Sequence, residues 1–401
     1  MNKNSFIPYS KQSLDHDDIE AVVQTLKSDW ITQGPAISEF EKAVANKVGA
    51  KYAIAVATGT AALHCACFAA GVGEGDEIIT APITFAASGN CALFLGASVK
   101  FVDIRPDTYC MDYEKLEEAI TPNTKAIIPV DFSGQPCNMD EINAIARKHN
   151  VIVIQDAAHS LGAVYKGKTV GELAPMTIFS FHPVKNITSG EGGMVVTNDE
   201  ALAEKVRLFR THGITNNDDH MILKEQAADN ESPDQNSKNP DTRSPWYYEM
   251  QELGYNFRIT DIQCSLGLSQ LKKLDHFVAR RQEIAQRYND AFAESPYLVT
   301  PHVEPDRQSA WHLYMLRLKL DKINKTRREV FEQLRGLGIG VHVHYIPLHL
   351  LPYYRTRFGY SRGDFPESEA YYDSALTIPL FPSMTNDDCE RVIKSVLETV
   401  K

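Results

Sequence analysis

Short apolar runs, separated by longer stretches of mixed polarity, dominate the first two-thirds of this chain. Segments 52–57, 77–80, 99–102, 125–130, 151–155, 177–180 and 193–197 are mostly continuously apolar and of strand length. Continuous rather than alternating patterning predicts strands covered on both faces. Between most of them, 60–70, 86–95, 112–120 and 139–149 carry helical patterns. Such alternation predicts α/β architecture around a largely parallel sheet.

The pattern breaks over 214–245, where Asn, Asp, Ser, Pro and Gln crowd together and apolar residues are few. A long, partly mobile loop is predicted there, ending in the aromatic cluster Trp246-Tyr247-Tyr248, which is expected to dock on a surface. Apolar Leu271, Leu274, Phe277, Val278, Ile284 and Tyr288 then fit one face of a helix over 266–288. Strands are predicted at 313–318 and 340–345, and helices at 327–336 and 387–399. The expected division is a large unit, 1–270, carrying the polar loop, and a smaller α+β unit, 271–401.

Composition narrows the function. A formal charge of -11, with no basic run, argues against a nucleic-acid partner. No apolar stretch is long enough to span a bilayer, and the first twenty-five residues lack a leader's apolar core. The seven cysteines are odd in number and without CxxC spacing, so reduced, buried thiols are expected. A cytoplasmic enzyme with no membrane partner fits these features.

Chemistry gathers at the carboxyl ends of the predicted strands, where open α/β sheets bind ligands. Asp156 follows Val-Ile-Val-Ile-Gln, with small Ala157 and Ala158 and then His159 behind it. In isolation it reads equally as a helix cap. The run Ser180-Phe-His-Pro-Val-Lys185 follows the next strand, and Gly190-Glu-Gly-Gly follows that. A lysine there either snorkels to water or sits in a desolvated pocket, where its amine turns nucleophilic toward an aldehyde.

Thr58-Gly59-Thr60 opens a helix after a strand, which is a plain cap or a phosphate cup. Lysine, acid and cup together ask for one ligand, pyridoxal 5'-phosphate (PLP), whose protonated ring nitrogen makes it an electron sink. Phe85 is placed to stack on that ring or to fill the core. His342 and His344 share one face of a predicted strand, with His349 nearby. No Cys or carboxylate stands at companion spacing, so a substrate-facing or interface role is expected and no metal. A nicotinamide enzyme would need a GxGxxG turn after its first strand, which is absent.

Five segments together resemble the signature blocks of the DegT/DnrJ/EryC1/StrS sugar aminotransferases. They are Thr58-Gly-Thr-Ala-Ala-Leu, Asp156-Ala-Ala-His-Ser-Leu-Gly, Ser180-Phe-His-Pro-Val-Lys185, Gly190-Glu-Gly-Gly-Met and Leu253-Gly-Tyr-Asn-Phe-Arg-Ile-Thr-Asp-Ile-Gln. The resemblance runs from about position 7 to 396 and implies the aspartate-aminotransferase (fold-type I) architecture. It also implies a homodimer with shared active sites. By motif position, Lys185 would be joined to the cofactor aldehyde and Asp156 would pair with the ring nitrogen. His159 would lie beside the ring, and Ser180, Gly59 and Thr60 would hold the phosphate. Asn256 would reach the phosphate in the partner subunit. Lys185 disfavours the related sugar dehydratases, which carry His at that position.

Within the family, Ile7-Pro-Tyr-Ser10, Asp29-Trp-Ile-Thr-Gln-Gly34, Pro245-Trp-Tyr-Tyr-Glu249, Val343-His-Tyr-Ile-Pro347 and Leu376-Thr-Ile-Pro-Leu-Phe-Pro382 resemble the pseudaminic-acid-pathway subgroup. That likeness implies amination at C4 of UDP-2-acetamido-2,6-dideoxy-β-L-arabino-hex-4-ulose, with L-glutamate as donor. Amination of another nucleotide-linked keto-sugar is the alternative. The sugar-nucleotide site would be lined by Tyr9, by Asp29, Trp30, Ile31 and Thr32, and by His344, Tyr345, Ile346 and Pro347. The segment around 220–241 is longer than the subgroup pattern.

Overall fold

A computed structural model describes residues 6–223 and 246–401. Seven strands form its central sheet: β1 (Tyr52–Val56), β2 (Glu77–Thr80), β3 (Ser98–Phe101), β4 (Thr124–Ile128), β5 (Ile152–Asp156), β6 (Met176–Ser180) and β7 (Gly193–Thr197). The order is β1-β7-β6-β5-β4-β2-β3. Every neighbouring pair is parallel except the two made by β7, which runs antiparallel to both β1 and β6. Strand bounds fall within two residues of those the apolar runs predict, because a strand buried on both faces ends where the apolar run ends.

Helices cover both faces. They are α1 (His16–Lys27), α2 (Pro35–Val48), α3 (Gly59–Ala69), α4 (Ala87–Leu93), α5 (Tyr113–Ala119), α6 (Met139–Lys148) and α7 (Glu200–Arg210). Helix α3 is apolar nearly all round and fully buried along most of its length, packed among β5, β6 and β7. On the opposite face Phe40 and Val44 of α2 pack with Phe179, Phe181 and Met194.

The helix expected over 266–288 is two: α8 (Asp261–Leu271) and α9 (Leu274–Phe292). The chain turns at Lys272 and Lys273, and Lys273 ties the turn to Asp15 and Asp18. The two halves serve different cores. Gly267 of α8 lies so close to Phe40 that an added Cβ would come within 2.7 Å of the ring. Further on, Ile284, Tyr288 and Phe292 of α9 enter a separate cluster around a smaller sheet. That sheet has the order β8 (Leu298–Val299), β9 (Tyr314–Leu318), β10 (Ala375–Ile378). It is backed by α10 (Arg327–Gly336) and α13 (Asn386–Thr399), with α11 (Pro352–Phe358) and α12 (Pro366–Ser374) between α10 and β10 in sequence.

Two other expectations change. Segment 340–345 joins no strand pair beyond a single bridge, His342 to Thr377. Just beyond it the chain reaches the end of β2, where the Leu348 amide donates to the Pro82 carbonyl at 2.9 Å. The predicted loop begins with order: Ile214–Thr215 pairs with Glu249–Met250. The rest of the loop, 224–245, lies outside the described residues. Among the described residues Trp246 and Tyr248 are exposed, Trp246 at 72%. Among the described residues, no helix is long and apolar enough to cross a membrane.

Candidate active site

Lys185 sits in the loop joining β6 to β7, and that loop is closed by its own backbone. The Phe181 amide donates to the Gly192 carbonyl at 2.9 Å, and the Ser189 amide donates to the Phe181 carbonyl at 3.0 Å. Asn186 anchors the turn through Nδ2 to the Leu161 carbonyl, and Ser10 donates to the Val184 carbonyl. Lys185 keeps an opening to solvent. Even so, burial pulls its ammonium down to about 8 against the attraction of Asp156.

Asp156 ends β5 and is buried. Its carboxylate accepts from the Ser88 hydroxyl at 2.6 Å and the Ala158 amide at 3.2 Å. Ser88 has one proton and gives it to Asp156, so Thr84 is the donor in the 2.7 Å Thr84–Ser88 contact. Burial pushes the Asp156 carboxyl up; Ser88, Ala158 and Lys185 pull it back.

Three imidazoles surround this pair. His159 Nδ1 accepts the Ser133 amide at 3.3 Å, which puts the ring proton on Nε2, 3.4 Å from the Tyr345 hydroxyl. His312 lies 4.3 Å from His159, centroid to centroid. His344 bonds Thr377 through Nδ1 at 2.9 Å. Burial and the Lys185 charge hold all three below the usual histidine range, His344 at about 3. The rings are therefore neutral, and the local field belongs to Lys185 and Asp156.

The strand register brings the third component in. Gly193 pairs with both Val56 and Ser180, so the β1–α3 turn meets the end of β6 across a glycine. A Cβ on Gly193 would fall 2.3 Å from the Thr58 carbonyl oxygen, and one on Gly59 would fall 2.9 Å from Ser180 Cβ. Thr58 caps α3, its hydroxyl accepting the Ala61 amide at 3.0 Å. The Gly59 and Thr60 amides, first in the helix, have no intrahelical acceptor and face outward with the helix dipole behind them.

A family model described as the DegT/DnrJ/EryC1/StrS aminotransferase family matches residues 12–397. The chain belongs to that family. Among its relatives is the spore coat polysaccharide biosynthesis protein SpsC of Bacillus subtilis, 44% identical over 100% of this chain and 98% of its own. Another is the UDP-4-amino-4,6-dideoxy-N-acetyl-beta-L-altrosamine transaminase of Campylobacter jejuni, 39% identical over 98% of both. The solved structure of PseC from Helicobacter pylori, an aminotransferase involved in the biosynthesis of pseudoaminic acid, superposes with a TM-score of 0.87. It is 31% identical and covers 99% of each chain. The architecture is accordingly that of the PLP-dependent sugar aminotransferases, and the protein is a PLP-dependent aminotransferase.

The site fits that cofactor. A buried carboxylate raised by burial suits a cationic ring nitrogen, and a partly neutral amine suits an aldehyde. A glycine-lined helix start beside the Ser180 hydroxyl suits a phosphate; the Cβ contacts above show that side chains there would close it. Of the other residues singled out from sequence, Phe85 is exposed, 6.1 Å from the Tyr345 ring. Tyr9 packs on His342 and His344 at 5.4 and 5.2 Å. Ile346 is exposed and Pro347 buried where this segment meets the Pro82 turn.

Asp29, Trp30, Ile31 and Thr32 form one exposed run after α1. They lie at the start of α8, with the Asp261 amide on the Ile31 carbonyl and a bridge from Thr32 to Thr260. Asn256 is also exposed, bridged to Thr211. Sequence reasoning missed Ser88, Thr84, His312, Asp131 and Ser133. Ser88 stands one helical turn after Thr84, a readable spacing; His312 and Ser133 arrive only through tertiary packing.

Proposed function

We propose that Lys185 carries PLP and that the enzyme aminates C4 of a UDP-linked 4-keto-sugar at the expense of L-glutamate. The keto-sugar we favour is UDP-2-acetamido-2,6-dideoxy-β-L-arabino-hex-4-ulose. Support comes from the altrosamine transaminase and the pseudoaminic-acid aminotransferase among the relatives. The observation that carries the assignment of Lys185 is its place in the β6–β7 loop, within electrostatic reach of buried Asp156.

When bound, PLP supplies an aldehyde to take up the amine and a ring that accepts the electrons freed on proton removal. The chain's own groups do the rest. Lys185, far closer to neutrality than a surface lysine, would hold the aldehyde, and its Nζ is the group that can move a proton. Asp156, steadied by Ser88, keeps a proton on the facing ring nitrogen. Neutral His159 presents Nε2–H as a donor, while Phe85 offers a face for stacking. Gly59, Thr60 and Ser180 donate to the phosphate. Tyr9, His344 and Tyr345 wall the cleft on the side where the sugar enters. Asn256 would complete the phosphate site of the other subunit in a homodimer, while Asp29, Trp30, Ile31 and Thr32 would meet the nucleotide.

The test is formation of 2-oxoglutarate from glutamate with each of two epimeric keto-sugars, L-arabino and D-xylo. Product with the L-arabino sugar alone supports the reading; turnover only with the D-xylo epimer overturns the sugar assignment. Lys185→Ala should abolish turnover and the absorption band of the lysine-linked cofactor, and a variant keeping both refutes Lys185.

A further inference from the structure

One buried acid outside the cofactor pocket ties together two of the segments that shape it, the 131–137 loop and the 155–160 run. Asp131 follows β4 and is wholly buried. Its Oδ1 accepts the Cys137 amide at 3.0 Å. Its Oδ2 accepts the Gln155 side-chain amide at 2.7 Å and the Ser160 hydroxyl at 2.6 Å. Gln155 immediately precedes Asp156, and Ser160 immediately follows His159. Cys137 closes the loop whose Ser133 amide donates to His159 Nδ1. The Asp131 amide itself donates to the Asp156 carbonyl at 3.0 Å.

That loop is unusually constrained. Ser133 holds a left-handed backbone with φ 66°, and its hydroxyl donates to the Leu313 carbonyl at 2.7 Å. Gly134, at φ 110°, leaves so little room that an added Cβ would lie 2.7 Å from the Trp311 amide nitrogen and 3.1 Å from the His159 carbonyl oxygen. Sliding the loop by a fraction of an ångström therefore breaks the Ser133–His159 bond, and with it the reason for the proton to stay on Nε2.

We infer that Asp131 is a positioning residue, whose carboxylate fixes the orientation and tautomer of His159 beside the cofactor by clamping the loop before it and the residue after it. Ionising so deep in the protein is costly, and burial pushes this carboxyl up to about 7, with Asp156 adding to the rise. The three donors keep it from rising further, and each comes from the 131–137 loop or the 155–160 run. A neutral side chain would satisfy the core as well but could not accept all three bonds.

The inference rests on the placing of His159 at the cofactor ring, and a double-mutant cycle separates the two ideas. The holoenzyme is measured as wild type, Asp131→Asn, His159→Gln and the double variant, by kcat, KM for the keto-sugar and the bound cofactor's absorption. Asp131→Asn is expected to keep the absorption band and KM while kcat falls roughly ten- to a hundredfold, the scale of a displaced catalytic contact. In the His159→Gln background the same change should cost almost nothing more. Ser160→Ala, which removes one of the three bonds, should show a weaker fall with the same dependence on His159, and stands in if Asp131→Asn does not fold. Additive losses in kcat overturn the inference. So does a His159→Gln enzyme with native kcat, because Asp131 would have nothing to position; the Lys185 assignment, tested by the absorption band, would survive either result.

Discussion

Lys185 has an energetic signature that can be measured without substrate. Its ammonium lies at about 8 in the folded chain, below the ordinary 10.5. Between those values the unfolded chain binds the extra proton, so cofactor-free protein gains stability as pH rises through that window. Below about 8 the cost is present in full. Lys185→Met removes it, and cofactor-free Lys185→Met should be more stable than wild type by on the order of 1–3 kcal/mol at neutral pH. The difference should vanish above pH 10.5. Thermal melts of the two cofactor-free proteins across pH check this; an equal or lower Tm for Lys185→Met at pH 7 sinks the desolvation argument. The imidazoles complement this lysine: His159, His312 and His344, held neutral by burial, add no positive charge of their own beside it.

At the scale of elements, the site depends on one antiparallel strand in a parallel sheet. Because β7 returns between β1 and β6, Gly193 lies against both the α3 start and Ser180. Gly193→Ala would set a Cβ 2.3 Å from a backbone oxygen that has no freedom to rotate away. We expect a loss of about 1–3 kcal/mol from overpacking, and weaker retention of the cofactor, read as faster loss of its absorption on dilution. Unchanged melting and retention would show that the turn yields. The α3 cap and the Lys185 loop were legible in the sequence, since each is written in a contiguous run of residues. The break between α8 and α9 was not: the apolar spacing continues through Lys272 and Lys273, and only the direction of the two cores bends the chain.

For the whole molecule, several exposed apolar side chains lie near Asn256. Leu253 is 78% exposed, and Tyr255 and Phe94, both exposed, pack on buried His64 at 5.0 and 5.3 Å. Such a surface beside Asn256 is what the proposed dimer would cover. Sedimentation should give a dimer. Lys185→Ala and Asn256→Asp, each inactive alone, should recover about a quarter of native activity when unfolded and refolded together, since half the dimers would hold one intact site. No recovery would mean that Asn256 serves its own chain, or none.

By itself the sequence determined the order of strands and helices along the chain, the Lys185, Asp156 and α3 motifs, and the family. These follow from contiguous patterning, where burial on both faces and the needs of one ligand write themselves into neighbouring residues. Tertiary structure alone decided which remote residues serve those motifs: Ser88 on Asp156, Ser133 and His312 on His159, Asp131 on the 155–160 run. It also turned 340–345 out of its expected strand. Hydrogen bonds and packing between residues remote along the chain obey distance in space, and spacing along a chain carries no record of that distance.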